Sequence, residues 1–395
     1  MKNIGIFGAS MLEWGGGVDL LKNIINALSF GEEYKLFLLI PVPGDDLKSK
    51  AKIFIKEKVL HKNAFHGIDP SIVEQFKKEY PYVTFAEFVN SNEGLLKKLR
   101  ENRISILFPC AYSLGRSFPV PWVAYLPDFQ HKYLPEFFTK EEIETRDNTF
   151  RKRIADSNAF IVTSETAKKD IETFFPECDK KVYVIPFSPS PREAWLAEEK
   201  NVLEKFGLLE TCRFFLISNQ FWIHKDHPCA FKALAKLHEN PDFSDVHILC
   251  TGEVKDYRNP NYRQELDDLN AGLGVKDYVH FLGYISKEDQ MELMKKAAAV
   301  VQPTLYEGSP GGGEIEDAVA IGQRSIVSDI PVNREIREDT VTFFEAGSAG
   351  SLKEKMEETL RSEYRRPDND TLRKNGLRRQ KHYFEVLKTM IDEMG

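Results

Sequence analysis

Residues 305–322 read LYEGSPGGGEIEDAVAIG: an apolar run ends, Gly308, Gly311, Gly312 and Gly313 follow close behind Glu307, and a helix-like stretch starts near Glu314. Glycine lets backbone N–H groups approach a ligand closely, and the start of a helix favours an anion. The carboxylates of Glu307, Glu316 and Asp317 are good acceptors for sugar or ribose hydroxyls. This segment suits a site that holds a neutral sugar beside a phosphate. The same residues also describe a flexible surface loop with an acidic first helical turn.

Three further stretches carry chemistry. Ser218–Pro228 (SNQFWIHKDHP) lies between a strand-like and a helix-like run, where Lys225 can neutralise a departing diphosphate. Pro127–Phe138 (PDFQHKYLPEFF) follows an apolar strand and groups Asp128, Gln130 and His131, which can orient a substrate or exchange a proton. Gly15-Gly16-Gly17-Val18 follows the first apolar run without the G-x-G-x-x-G spacing of a dinucleotide fold. It reads either as a phosphate or acceptor loop at a helix start or as a plain turn. Phosphate-loop, serine-elbow and zinc-helix motifs are missing from the sequence. Asp368-Asn369-Asp370 has the Asp-x-Asp form of metal-dependent sugar transferases, but it follows no strand and reads as a solvated turn.

The elements that position these loops repeat. Short apolar runs at 3–7, 35–40, 104–108, 120–125, 159–162 and 181–186 alternate with amphipathic stretches, among them 18–28, 71–80 and 164–174. After Phe187-Ser188-Pro189-Ser190-Pro191, which reads as a linker, the pattern restarts, with strands at 214–217, 246–250, 279–282, 299–303 and 324–328. Helices fill 228–237, 262–273 and 287–296 between them. Continuous apolar strands alternating with amphipathic helices give parallel sheets covered on both faces. The fold class is therefore α/β: two doubly wound Rossmann-like domains facing across a cleft, residues 1–190 and 195–372, with a basic amphipathic helix at 372–394 that packs on its own domain or crosses back to the first.

A chain of 395 residues fits two domains. Its 54 basic and 61 acidic side chains leave a net charge of −7, against non-specific nucleic-acid binding. No apolar run approaches the length of a membrane span, and the N-terminus does not read as a signal peptide. Cys110, Cys178, Cys212, Cys229 and Cys250 are scattered, with no C-x-x-C pair, so the cytoplasm is the expected compartment.

In this order the four loops resemble the retaining GT-B-fold glycosyltransferases of family 4, the glycosyl transferases group 1. The similarity covers nearly the whole chain and rests on 307–322 with Ser328-Asp329-Ile330-Pro331, Asn219-Gln220-Phe221-Trp222 with His224-Lys225, Asp128-Phe129-Gln130-His131 with Pro135-Glu136-Phe137-Phe138, and 164–170. The resemblance implies a GT-B enzyme that moves a sugar with retention from a nucleotide-sugar donor to a glycan or lipid-linked acceptor, with no metal or other cofactor. It places the donor on the second domain. Glu307 would contact the donor sugar, and Lys225 the diphosphate. The N–H groups of Gly311, Gly312 and Gly313 would support sugar and phosphate, Gly16 and Gly17 would approach the diphosphate, and Asp128 or His131 would face the acceptor. Gly308, Asn219 and Gln220 complete the expected donor site.

The sequence departs from the family pattern at three places. The family's paired acids have seven residues between them. Six separate Glu307 from Glu314 and eight separate it from Glu316, while counting back from Ala318 puts Asp317 in the second acid's place. Either Glu316 or Asp317 meets the ribose. Gln220 stands where an arginine is common, and Pro127 where a histidine precedes Asp128. Rival readings are a non-catalytic sugar-nucleotide-binding protein or a sugar-nucleotide epimerase on the same fold. The basic residues Arg373, Lys374, Arg378, Arg379, Lys381 and His382 form either a solvated helix face or a peripheral contact with the inner face of a membrane.

Overall fold

The computed structural model describes residues 1–44, 65–197 and 201–394; residues 45–64, 198–200 and 395 of the expected domains lie outside them. The described residues form two parallel sheets. The first contains β1 (Lys2–Phe7), β2 (Tyr34–Val42), β3 (Thr84–Val89), β4 (Ile106–Cys110), β5 (Trp122–Tyr125), β6 (Ala159–Val162) and β7 (Lys181–Val184). Their order is β3-β2-β1-β4-β5-β6-β7. The second contains β8 (Arg213–Ser218), β9 (Val246–Thr251), β10 (Val279–Gly283), β11 (Val300–Gln302), β12 (Ser325–Ser328) and β13 (Val341–Phe344), in the order β10-β9-β8-β11-β12-β13. β1 is registered between two neighbours, Ile6 lying opposite both Leu38 and Phe108.

Side-chain alternation divides each sheet's apolar residues between two faces. Ile4 and Ile6 enter one core with Leu38 and Phe108, while Phe7, Leu39 and Leu107 enter the other. The second sheet splits likewise, Phe215 and Ile217 on one face, Phe214 and Leu216 on the other. Burial on both faces is why the strand sequences are continuous rather than alternating in polarity. In each sheet the strand order reverses beside the first strand of its domain, between β1 and β4 and between β8 and β11. Such reversals open a crevice outside the carboxyl ends of the strands.

Two connections join the domains. One is the Pro-rich stretch after β7. The other is the helix Asn369–Met394, which packs Tyr383, Leu387, Met390 and Ile391 into the first domain's core beside Leu21, Ile24 and Ile25 of the helix Gly15–Leu28. The two connections touch: a Cβ at Gly376 would lie 2.6 Å from Ser190 Oγ and 2.7 Å from Pro191 Cδ. The Asp-x-Asp segment is not a free turn. Asp368 accepts from the Thr371 N–H at 2.7 Å and so caps this helix. Two of the helix's basic residues are engaged within the molecule, Arg373 with Glu193 and Arg379 with Glu338. Among the described residues no helix is long and apolar enough to cross a membrane.

The domains also meet through polar contacts. Ser164 caps the helix Glu165–Phe174 from within, accepting from Ala167 N at 3.0 Å. Glu335 of the second domain caps it from outside, accepting from Glu165 N at 2.9 Å, Thr166 N at 2.7 Å and Thr166 Oγ1 at 2.6 Å. The first turn of a helix has N–H groups with no partner inside the helix, and a carboxylate is a strong acceptor for them.

Candidate functional site

On the second domain the site begins where β8 ends. The chain passes Asn219, makes a short 3-10 turn at Ile223–Lys225, and turns sharply at Asp226 (φ 49°). Asp226 then caps the helix His227–His238. This left-handed conformation is costly for most residues and tolerated by Asp. Lys225 is buried, and its Nζ lies 2.5 Å from Glu307 Oε1. Burial pulls the Lys225 ammonium down, but the charges of Glu307 and Glu314 outweigh it and hold the group above its ordinary value.

The glycine loop is braced from below. Leu305 N–H donates to the His224 carbonyl at 2.8 Å, the Gly311 N–H to Asn333 Oδ1 at 2.9 Å, and Gln302 Nε2 to the Gly311 carbonyl at 2.5 Å. Glu314 is turned inward, accepting from Asn219 Nδ2 at 2.9 Å and Gln302 Nε2 at 3.1 Å, and burial raises its carboxyl. One buried cation therefore faces two acids.

From the first domain, Asp128 enters the cleft held by the Gln130 N–H at 2.9 Å and by Arg146 Nη2 at 2.5 Å. The loop reaches across to it: the Tyr306 hydroxyl accepts from Phe129 N at 2.7 Å, and the Gly308 carbonyl accepts from Thr163 Oγ1 at 3.1 Å. An added Cβ at Gly308 would stand 2.2 Å from the Pro127 carbonyl oxygen. Gly308 is thus required for the approach of the two domains.

The cleft between the domains has a volume of about 300 Å³. Among the expected residues, Gly16, Asp128, Lys225, Glu307, Gly308, Gly312, Gly313 and Glu316 line it. Others lie elsewhere. His131 is sealed behind the cleft: its Nδ1 accepts from Arg146 Nε at 3.1 Å, its Nε2 bonds Asp147 at 2.9 Å, and burial lowers its pKa. It orients the arginine that holds Asp128 and does not itself reach the cleft. Gln220 is exposed to solvent outside the lining, and Asn219 lies beneath it on Glu314. Gly311 serves as the left-handed N-cap (φ 66°) that starts the helix Gly312–Ala320. Asp317 turns away to an ion pair with Lys287, while Glu316, about 100° around the helix, faces the cleft.

At Gly16 and Gly17 the absence of a side chain also makes room for neighbouring groups. A Cβ at Gly16 would meet the Trp14 ring at 2.4 Å, and one at Gly17 would meet the Met11 carbonyl at 2.2 Å. The glycines seat an indole at the mouth of the cleft. Trp14, Tyr306 and Tyr383 are lining residues that the sequence reading missed. An aromatic before a glycine run was a usable signal for Trp14; Tyr306 and Tyr383 depend on partners far away in the chain.

Glu316 makes the site pH-sensitive. Burial first, then the Asp317 charge, push its carboxyl from 4.5 up to about 8. A carboxyl whose pKa is raised on folding keeps a proton that the unfolded chain releases. Its contribution to stability is full below about pH 4.5 and lost as pH rises through about 8. Replacing Glu316 by Gln is expected to make the decline of the unfolding midpoint across that window shallower in calorimetry. An unchanged slope would show that Glu316 is ionised throughout.

Residues 198–379 match the family described as glycosyl transferases group 1. An uncharacterized glycosyltransferase of Methanocaldococcus jannaschii is 29% identical over 176 residues, which is 43% of this chain and 42% of that relative's length. The whole chain is similar to solved structures. Sucrose-phosphate synthase from Thermosynechococcus elongatus aligns with a TM-score of 0.63 and 15% identity over 99% of this chain and 98% of its own. A glycosyltransferase from Rickettsia africae gives 0.64 and 14% over 100% and 97%. Anabaena HepE in complex with UDP-glucose gives 0.61 and 14% over 100% and 98%. The fold is GT-B, two Rossmann-like domains across a cleft, and the family match lies on the second of them.

Proposed function

We propose that this chain, whose residues 198–379 make up a group 1 glycosyl transferase domain on a GT-B fold, transfers a sugar from a nucleotide-sugar donor to a glycan or lipid-linked acceptor. In this reading configuration is retained and no metal takes part. The observation that carries it is the buried Lys225–Glu307 pair at the interdomain cleft. A buried ammonium held by carboxylates is a ready counter-ion for an incoming diphosphate, and a low-polarity surrounding strengthens that attraction.

When the diphosphate takes Lys225, Glu307 is released towards the donor sugar's hydroxyls. The bond from the sugar's anomeric carbon to the diphosphate oxygen breaks, and Lys225 stabilises the negative charge that develops there. The acceptor hydroxyl oxygen bonds that carbon on the same face, and its proton passes to the departing phosphate oxygen. The Gly313 N–H lies in the first turn of the helix Gly312–Ala320, whose field favours the same anion. Asp128, fixed by Arg146, stands on the opposite wall to orient the sugar or the acceptor.

Anabaena HepE, similar in fold, was solved with UDP-glucose, which makes uridine nucleotides the first probes. A thermal-shift panel of UDP, GDP and ADP with their glucose conjugates is expected to raise the unfolding midpoint for at least one base. Ligand at ~100 times its Kd contributes about 2.7 kcal/mol. No shift with any of them, or turnover that strictly requires magnesium or manganese, overturns the proposal.

A further inference from the structure

At its hinge end the cleft is lined by groups that the mechanism above leaves unused. Glu316 comes from the second domain, Asn23 from the helix Gly15–Leu28, Ser188 from the inter-domain linker and Tyr383 from the last helix. Both domains and both connections converge there. Asn23 Nδ2 donates to Glu316 Oε1 at 3.3 Å, and the Ser188 backbone stands close to that carboxyl. Gln380, one turn before Tyr383, fixes Ser188 by donating to its carbonyl at 3.1 Å.

Two hydroxyls in this cluster have no hydrogen-bond partner among the described residues. Tyr383 OH and Ser188 Oγ are both buried and both unpaired, on residues only 1% and 2% exposed. A buried polar group without a partner costs free energy, and most buried polar groups are satisfied. Two such hydroxyls on the wall of one cleft, beside a carboxyl that burial keeps protonated near neutral pH, call for an uncharged partner rich in donors and acceptors. A second anion is disfavoured there, because Asp19 also lines this end.

We infer that the hinge end of the cleft is a hydroxyl-recognising subsite in which Tyr383 and Ser188 bond ring hydroxyls of the nucleotide sugar. This rests on the donor reading above and adds to it residues from the linker and the last helix. The ring is either the ribose or the transferred sugar, which share this chemistry. Because the subsite spans both domains and both connections, a ligand that fills it bonds groups aligned only when the domains meet.

The test is Tyr383→Phe, which removes one oxygen and keeps the ring's packing, with Ser188→Ala as a second variant. Binding of UDP, GDP and ADP and of their glucose conjugates is measured by calorimetry on the full chain. Each variant is expected to bind about tenfold more weakly than wild type, while the unliganded unfolding midpoint stays at or above the wild-type value. Loss with both the diphosphate and its sugar conjugate assigns the subsite to ribose; loss with the conjugate alone assigns it to the transferred sugar. Wild-type affinity in both variants overturns the inference and leaves the donor reading intact. So does an unliganded midpoint several degrees below wild type, which would make the hydroxyls packing groups. No binding of any probe by wild-type protein overturns the donor reading and this subsite with it.

Discussion

Lys225→Met is expected to lower turnover by about 10²–10³, the usual cost of removing one group that stabilises developing negative charge. Methionine fills much of the same space, so the chief change is the loss of charge. That loss also reaches the fold. Lys225 is only 7% exposed and faces the buried Glu314 and the partly buried Glu307 on the cleft wall. Removing the cation leaves two acids without a counter-charge, and breaking such a buried pair costs about 3–5 kcal/mol.

The two effects separate in a double variant. Lys225→Met with Glu307→Gln removes the stranded charge and is expected to recover most of the unfolding midpoint but none of the activity. Steady-state kinetics on the donor found by the panel, beside thermal unfolding, reads both. If Lys225→Met retains more than about a tenth of wild-type turnover, the leaving-group role belongs to another residue.

Gly308→Ala is the second large effect, and its cause is steric. The added carbon would stand 2.2 Å from the Pro127 carbonyl oxygen and 2.9 Å from Asp128 Cβ, so backbone must move. The cheapest movement separates the domains, breaking the bonds from Thr163 to Gly308 and from Phe129 N to Tyr306. A misplacement of about 1 Å at a reacting centre costs on the order of 10²-fold in rate, which is the expected fall in kcat/KM. Small-angle scattering should show a larger radius of gyration, with secondary structure unchanged. Gly350→Ala, where nothing lies within 4 Å, is the matched control. Wild-type rate and radius in Gly308→Ala would mean that the domains work apart.

Much of the framework was legible because strands buried on both faces announce themselves: KLFLLI, AFIV and FFLIS need no partner information to be recognised. β3 escaped because TFAEFV lies at the sheet's edge, buries alternate residues and reads as ambiguous. The helix Lys140–Asp156 escaped because it buries little beyond Phe150 and Ile154 and is otherwise charged. In the site, residue types and local spacing located Lys225, Glu307 and Asp128. They could not separate Glu316 from Asp317, since which of two adjacent acids faces the cleft depends on Lys287 standing ready for one of them. Nor could they show that His131 is spent on Arg146 and Asp147, both a helix away.

The last helix bears on how the molecule is made. Tyr383, Leu387, Met390 and Ile391 complete the hydrophobic core of the first domain, although nearly all of the second domain precedes them in the chain. Domains generally fold in the order in which the ribosome delivers them. Here the earlier one emerges with Leu21, Ile24 and Ile25 unsheltered and remains so until translation has reached the residues that cover them. The nascent chain is therefore exposed to aggregation, and to capture by chaperones, for almost the whole of its synthesis.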